Sequence, residues 1–347
     1  MTKQREGLVV NVSHNDLDGI VSAVVHAVAA EHITSVREEY GKVRNAVRFS
    51  AGAGRVAPLL RDLAELGVQV VVTDIFLSKD EFAIIDAVEP VIPEIPLLVD
   101  HHRGSDIHEH RTRTMVSASS CGAMNTLKYY ENLPGSCRVA FPDWVRRLAV
   151  LANDYDMWIH SFPESRKLNA LASLLGAEGM FTLIMKEREN FFFDCTHSSR
   201  WLKRQQDRID SAVADAQIFQ GGEQRPRLAL LPPQKNFSGA DVNEISDRLV
   251  QERDVECLAY IYEDGNNNGG GGVTRVSLRG KNRHPARILE ILKREFGAEG
   301  GGHYNACGVR FPVGFSVSDV FRCLAAVLER EATYGAEVSG NGPEVAL

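Results

Sequence analysis

Leu8-Val-Val-Asn-Val-Ser13-His14-Asn-Asp16-Leu-Asp18-Gly19 is the stretch whose reading decides the fold. Leu8 to Ser13 is an apolar, β-branched run that reads as a buried strand, and the segment from Gly19 to His32 reads as a helix. Between them His14, Asp16 and Asp18 leave one tight turn, and alternate residues of an extended segment point the same way. Imidazole and carboxylate ligands presented together suit a divalent metal. Asp16 or Asp18 capping the following helix is the plainer alternative, and the turn alone does not separate the two.

Working outward, the pattern repeats. Val68 to Thr73 and Ile95 to Val99 read as further strands, and Ser78 caps a helix that runs to about Ala87. Strands alternating with helices predict a parallel sheet flanked by helices, an α/β domain. In such sheets ligands collect beyond the carboxyl ends of the strands. Asp74 follows one predicted strand and Asp100-His101-His102 another. Helices are expected from Ser117 to about Ile159, and a long charged helix from about Ser198 to Phe219, closed by Gly221-Gly222 and Pro226, reads as a connector.

A second α/β rhythm follows. Strands are expected at 227–231, 255–262, 273–278 and 306–311, with helices at 239–251, 285–296 and 316–332. The run from Asn266 to Gly272 reads as an exposed hairpin loop, and the tail after Tyr334 as loose. The resulting division is a metal-binding domain at 1–195, a helical linker at 196–225 and a smaller α/β domain at 226–335. A chain of 347 residues is long enough for two cores.

Composition narrows the function. With 44% hydrophobic and 24% charged residues the chain reads as globular. No run of 18 or more apolar residues and no signal-peptide pattern is read in it, so the expectation is a cytoplasmic protein without a membrane partner. Six cysteines, at 121, 137, 195, 257, 307 and 323, form no C-x-x-C pair and are expected to be reduced thiols. A formal net charge of -7 argues against coating long nucleic acids by charge alone. Any phosphate grip must be local, and Arg275 to Arg294 supplies it with seven basic residues against the single acid Glu290.

Three strand-end clusters of Asp and His on one rim make the start of a dinuclear centre, with ions roughly 3.5 to 4 Å apart. Asp154 or Asp156, in Leu151-Ala-Asn-Asp-Tyr-Asp-Met-Trp158, completes the set. His14-x-Asp16-x-Asp18-Gly19, Asp74, Asp100-His101-His102 and Asp154 resemble the four successive motifs of the DHH phosphoesterases. Gly300-Gly-Gly-His303, with Ser277-Leu-Arg279 before it and Asn305-Ala-Cys-Gly308 after it, resembles the DHH-associated C-terminal domain. The similarity covers nearly the whole chain.

The resemblance implies one metal on His14, Asp16 and Asp74 and a second on Asp18, Asp74, His101 and Asp154, with Asp74 bridging and Asp156 as the rival of Asp154. It implies manganese as the usual ion, with magnesium as the alternative. Asp100 would orient a ligand and His102 would face the substrate phosphate. In the C-terminal domain Arg279 and His303 are the expected phosphate clamp, with Gly301 and Gly302 in a turn whose N–H groups form an anion nest. Gly52-Ala-Gly54 lacks the spacing of a dinucleotide loop, and Cys121 lacks a neighbouring base and reads as buried at a helix start. His108, His110 and His160 read as ordinary surface or packing residues.

The expected reaction is direct hydrolysis by a metal-activated water, with no covalent intermediate and with the substrate between the metal domain and the clamp. The first motif is most similar to the oligoribonuclease (nanoRNase) branch, which implies very short RNAs, from dinucleotides to pentanucleotides, cut from the 3' end to 5'-mononucleotides. Cleavage of a cyclic or linear signalling dinucleotide or of 3'-phosphoadenosine 5'-phosphate is the runner-up. A RecJ-like single-strand exonuclease and an inactive nucleotide-binding regulator are the further alternatives. A homodimer is left open.

Overall fold

The computed structural model describes residues 6–40, 42–50, 56–102, 104–157, 159–191, 196–220, 226–231, 237, 239–264, 273–281, 284–303 and 306–334. The expectations at Gly52-Ala-Gly54, at the 266–272 loop, at Cys195 and at the tail after Tyr334 lie outside the described residues. The chain forms two compact units, Met1–Leu202 and Lys203–Leu347.

The first unit is built from β1 (Glu6–Ser13), α1 (Leu17–Val36), β2 (Lys42–Ser50), α2 (Val56–Glu65), β3 (Gln69–Thr73), α3 (Lys79–Asp86), β4 (Leu98–Asp100), β5 (Thr114–Val116), α4 (Gly122–Glu131), α5 (Asp143–Asp156) and α6 (Pro163–Glu187). Its five strands pair in the order β2-β1-β3-β4-β5, all parallel. The period of two in the strands sorts the core. Val9 and Val71 face a cluster with α1, α4, α5 and α6, while Val10, Val12, Val70, Val72 and Leu98 face α2 and α3.

Because every strand runs the same way, the turns after β1, β3 and β4 open on one rim. Ser78 caps α3 in a full capping box with Glu81. β4 starts at Leu98, later than expected, because Pro96 has no N–H for a ladder. β2 was not anticipated, since Lys42, Arg44, Asn45 and Arg48 hide its apolar period.

Two helices pass a test of length and mean hydropathy, a looser measure than an unbroken run of 18 apolar residues. Leu17–Val36 and Pro163–Asn190 are long and apolar enough by that measure. In α1, 61% of the apolar window is buried inside the structure, as befits a core helix packed against α4, α5 and α6. α6 is two helical pieces joined at Gly176, whose φ of 69° lies in the left-handed region.

The second unit contains β6 (Gln217–Phe219), β7 (Leu228–Leu231), α8 (Gly239–Arg253), β8 (Cys257–Asp264), β9 (Val273–Gly280), α9 (His284–Phe296), β10 (Glu299–His303), β11 (Ala306–Arg310) and α10 (Val317–Tyr334). They are preceded by α7 (Thr196–Asp215). The six strands pair in the order β10-β11-β9-β8-β7-β6, antiparallel except for β7 with β8. One face packs on α9 and α10. The other carries Ala229, Leu231, Leu258 and Tyr260 against α8 and against Ile209, Ala212 and Val213 of α7. The segment expected as a linker therefore supplies core side chains and an edge strand to this unit, and the division falls at Leu202 and not at 225. The five described cysteines form no disulfide with one another.

Candidate metal centre

His14, Asp16 and Asp18 emerge where β1 turns into α1. His14 Nδ1 lies 2.5 Å from Asp16 Oδ2, and Asp16 Oδ1 accepts the Gly19 N–H at 3.0 Å. One carboxylate thus caps α1 and still presents an oxygen to the rim. Crowding by neighbouring atoms opposes the charge on Asp16, although 46% of its side chain is exposed. The bond to His14 and the Gly19 N–H win, holding it far below the usual carboxylate range. Burial likewise opposes the charge on His14, but Asp16 outweighs it and raises the imidazole.

Asp18 is buried, and its two oxygens accept the N–H groups of Gly122 and Ala123, each at 2.7 Å. These are the first donors of α4, so the helix end fixes the carboxylate. Gly122 has to be glycine. A Cβ there would stand 2.8 Å from Asp74 Cβ and 3.0 Å from Asp18 Oδ2.

Asp74 follows β3 with φ at 58°, a left-handed conformation that Asp and Asn tolerate better than other side chains. It is 1% exposed. Its Oδ1 lies 3.1 Å from His101 Nε2, and its buried Oδ2 has no hydrogen-bond partner. Burial, then the charges of Asp18, Asp16, Asp156 and Asp100, push this carboxyl well above its usual range. Burial, Asp18 and Asp16 do the same to Asp156.

His101 Nε2 also lies 3.5 Å from Asp18 Oδ2 and 3.7 Å from Asp156 Oδ2. His102 Nδ1 is 2.8 Å from Asp100 Oδ1, and the other Asp100 oxygen accepts the Ser105 hydroxyl. Asp100 is fully buried, and burial would raise it, but the bond to His102 holds it below the usual range. Burial opposes the charge on His102, and the bond to Asp100 overcomes it and raises the ring.

Among the described residues, ligand atoms close enough to share an ion form three overlapping groups. These are His14, Asp16 and Asp74; Asp18, His101 and Asp156; and Asp74, Asp100, His101 and His102. Asp154 is in none of them, and the expectation at that position is corrected. Its Oδ1 accepts the Ser161 N–H at 2.7 Å, while Oδ2 accepts the Phe162 N–H at 3.2 Å and the Ser165 hydroxyl at 2.6 Å. Those bonds tie the end of α5 to the start of α6 and outweigh burial, keeping Asp154 below the usual range. Two residues on, Asp156 turns toward the rim instead.

Two positioning groups were not read in the sequence. Asn153 Oδ1 accepts the Cys121 N–H at 2.9 Å, pinning α5 to the start of α4. Arg48, fully buried, donates to Ser13 Oγ at 2.7 Å, to the His14 carbonyl and to Glu178 at 3.3 Å. Its only sequence signal is a basic residue in a strand. Cys121 lies buried ahead of α4, and His108 is buried with Nε2 on the Leu77 carbonyl and its ring stacked on Phe82.

In the second unit the glycine turn becomes a strand. Gly300, Gly301 and Gly302 lie in β10, paired antiparallel with β11, and this replaces the expected anion nest. Gly300 meets a packing need, since a Cβ there would stand 2.2 Å from the Gly308 carbonyl. The side chain of His303, like that position at Gly302, lies outside the described residues. Arg279 donates from Nε to Asn243 Oδ1 and from Nη1 to the Leu278 carbonyl, each at 3.0 Å, and burial lowers its guanidinium.

The residues of the rim fit divalent ions. Five carboxylates and three imidazoles converge, without a thiol among the described residues, a donor set for manganese, magnesium or zinc. The orphaned Asp74 Oδ2 is a buried acceptor that a cation would satisfy.

No protein-family model matches the chain, and no curated protein matches its sequence. Solved structures do match its fold. A DHH domain from a member of the S1p family of ribosomal proteins superposes with a TM-score of 0.59, at 13% identity over 94% of this chain and 87% of that one. Exonuclease RecJ bound to manganese gives 0.56 and 14% over 96% and 92%. The fold is that of the DHH-domain proteins. PggH, a pGpG-specific phosphodiesterase from Vibrio cholerae, gives 0.53 and 12% over 94% and 98%. The DHH-domain likeness therefore extends through both units of the chain.

Proposed function

We propose that this chain is a divalent-metal-dependent phosphodiesterase that hydrolyses very short RNAs to 5'-mononucleotides in the cytoplasm. The observation that carries the reading is Asp74, a buried carboxylate with an unsatisfied oxygen, ringed by Asp16, Asp18 and Asp156. Such repulsion is sustained in a folded protein where cations or protons relieve it. Two ions are proposed, one on His14, Asp16 and Asp74 and the other on Asp18, Asp74, His101 and Asp156, with manganese first and magnesium second.

Bound ions would supply Lewis acidity and lower the pKa of a bound water. The chain's own residues do the rest. The helix end of α4 orients Asp18, and Asp100 keeps a proton on His102, which then serves a phosphate oxygen as donor and counter-charge. Arg279, held by Asn243, is the proposed phosphate contact of the second unit, with His303 of β10 in the same row across Ala306 of β11.

The test is turnover of labelled di- to pentaribonucleotides, a long RNA, cyclic dinucleotides and 3'-phosphoadenosine 5'-phosphate with Mn2+. Monophosphate should appear fastest from the short RNAs, and turnover of none of them would sink the enzyme reading. A second reading, hydrolysis of a linear signalling dinucleotide, is favoured by the likeness to the pGpG-specific enzyme over 98% of that chain. Preference for pGpG over other dinucleotides would select it.

A further inference from the structure

The face of the second sheet that carries α8 holds, on β8, β9, β11 and β10, a feature that the phosphate contact at Arg279 does not use up. Residues directly opposite in neighbouring strands share a face. The pairing therefore puts Tyr262, Arg275, Arg310 and Glu299 in one row across β8, β9, β11 and β10. The next row is Tyr260, Ser277, Gly308 and Gly301, and Arg279 stands in the row after that. Beyond Tyr260, which α8 covers, the middle row has only small residues. A Cβ at Gly308 or Gly301 would meet no atom within 4 Å, so the floor is open.

This trough has two ends of matching chemistry. Arg279 is largely buried, is oriented by Asn243, and has no carboxylate among its described partners. Arg275 and Arg310 stand at the other end, with the acid Glu299 out on the edge strand. Arg275 and Arg279 are four residues apart on one strand, about 13 Å. That is too far to grip one phosphate group and suits two points of one ligand. Beside Arg275 the Tyr262 ring is 37% exposed and stacks on Tyr260 at 5.8 Å and 15°. It is an aromatic platform of the kind on which bases stack.

We propose that this face is an extended subsite for a linear dinucleotide or longer chain, with one phosphate at Arg279, a base on Tyr262 over the Gly308–Ser277 floor, and Arg310 and Arg275 at the far backbone. The proposal deepens the phosphodiesterase reading and rests on it for the class of ligand. It makes Tyr262 the residue that distinguishes a chain of two nucleotides from a single one.

The experiment is calorimetric titration of the full chain, metal-free in chelator, with 5'-phosphorylated diadenylate (pApA) and with 5'-AMP. pApA should bind more tightly than AMP. Tyr262→Ala should weaken pApA about ten-fold, the scale of one stacked base, and Tyr262→Phe should restore it. Gly308→Leu, on an exposed strand position with open space above it, should weaken pApA and spare AMP. Arg279→Ala should weaken both ligands. Equal binding of the two ligands, no binding of either, or a pApA affinity indifferent to Tyr262→Ala and Gly308→Leu would overturn the subsite. Turnover with Mn2+ separates the two ideas. Hydrolysis of short RNAs together with Tyr262-indifferent binding removes only the subsite, and Tyr262-dependent binding without hydrolysis of any substrate removes only the enzyme.

Discussion

Asp74 holds three properties at once: a left-handed backbone, complete burial and an oxygen with no donor. Asn shares the tolerance of that backbone, whereas Ala would add strain to the loss of charge, so Asp74→Asn isolates the electrostatics. We expect it to lower Mn2+-dependent turnover more than about 100-fold, beyond what loss of an outer hydrogen bond does. In the metal-free protein it should raise Tm, by about 2–4 °C for each kcal/mol of carboxylate repulsion removed. A thermal melt in chelator checks the second half, and an unchanged or lower Tm would contradict it. Gly122→Ala should act in the opposite sense. Its methyl would press on Asp74 and Asp18, for a loss of about 1–3 kcal/mol in denaturant titration together with loss of activity.

At the scale of elements, the end of α5 separates structure from chemistry within three residues. Asp154 ties α5 to α6 through three donors, and Asp156 joins Asp18 and His101. Asp154→Asn should therefore lower Tm clearly, since charge-assisted bonds of this kind contribute about 1.5–3 kcal/mol each. Asp156→Asn should abolish metal-dependent turnover while leaving the metal-free Tm equal or higher. Melting and activity of the pair, measured together, decide the assignment. The sequence could not make this distinction, because both acids lie near a helix end and only the path of the chain after α5 tells them apart. Elements with strong local signals, such as the β-branched run of β1, the apolar run of α1 and the Ser78-capped α3, were legible. β2 was not, since Arg48 belongs to a buried hydrogen-bond network that looks like surface charge in one dimension. The Gly300–Gly302 run read as a turn because glycine signals close approach without saying whether a ligand or a neighbouring strand approaches.

For the molecule as a whole, pH should act through the rim and the core in opposite directions. His14 and His102 are raised in the fold, so their contribution is full below the ordinary histidine range and is lost as pH rises through their folded values. Asp74 and Asp156, also raised, keep protons in the fold that the unfolded chain gives up, so their effect on stability also falls with rising pH. Buried His26, pushed down to about 4, works the other way and removes stability as pH falls from about 6.5 toward 4. Above about pH 6.5 the His26 contribution is constant. Metal-free protein should there lose Tm as pH rises, while Mn2+ affinity grows because bound protons no longer compete. Melts across pH with chelator and with Mn2+ should diverge, and parallel curves would contradict this. A different consequence belongs to α1. It is synthesised before the helices that cover it, α4 to α6, which come from residues 122–187. Its apolar flanks must wait for distant chain, a high-contact-order step during which the nascent polypeptide is sticky. The helix that anchors the finished rim is thus a segment in need of protection on the ribosome until residues 122–187 have emerged.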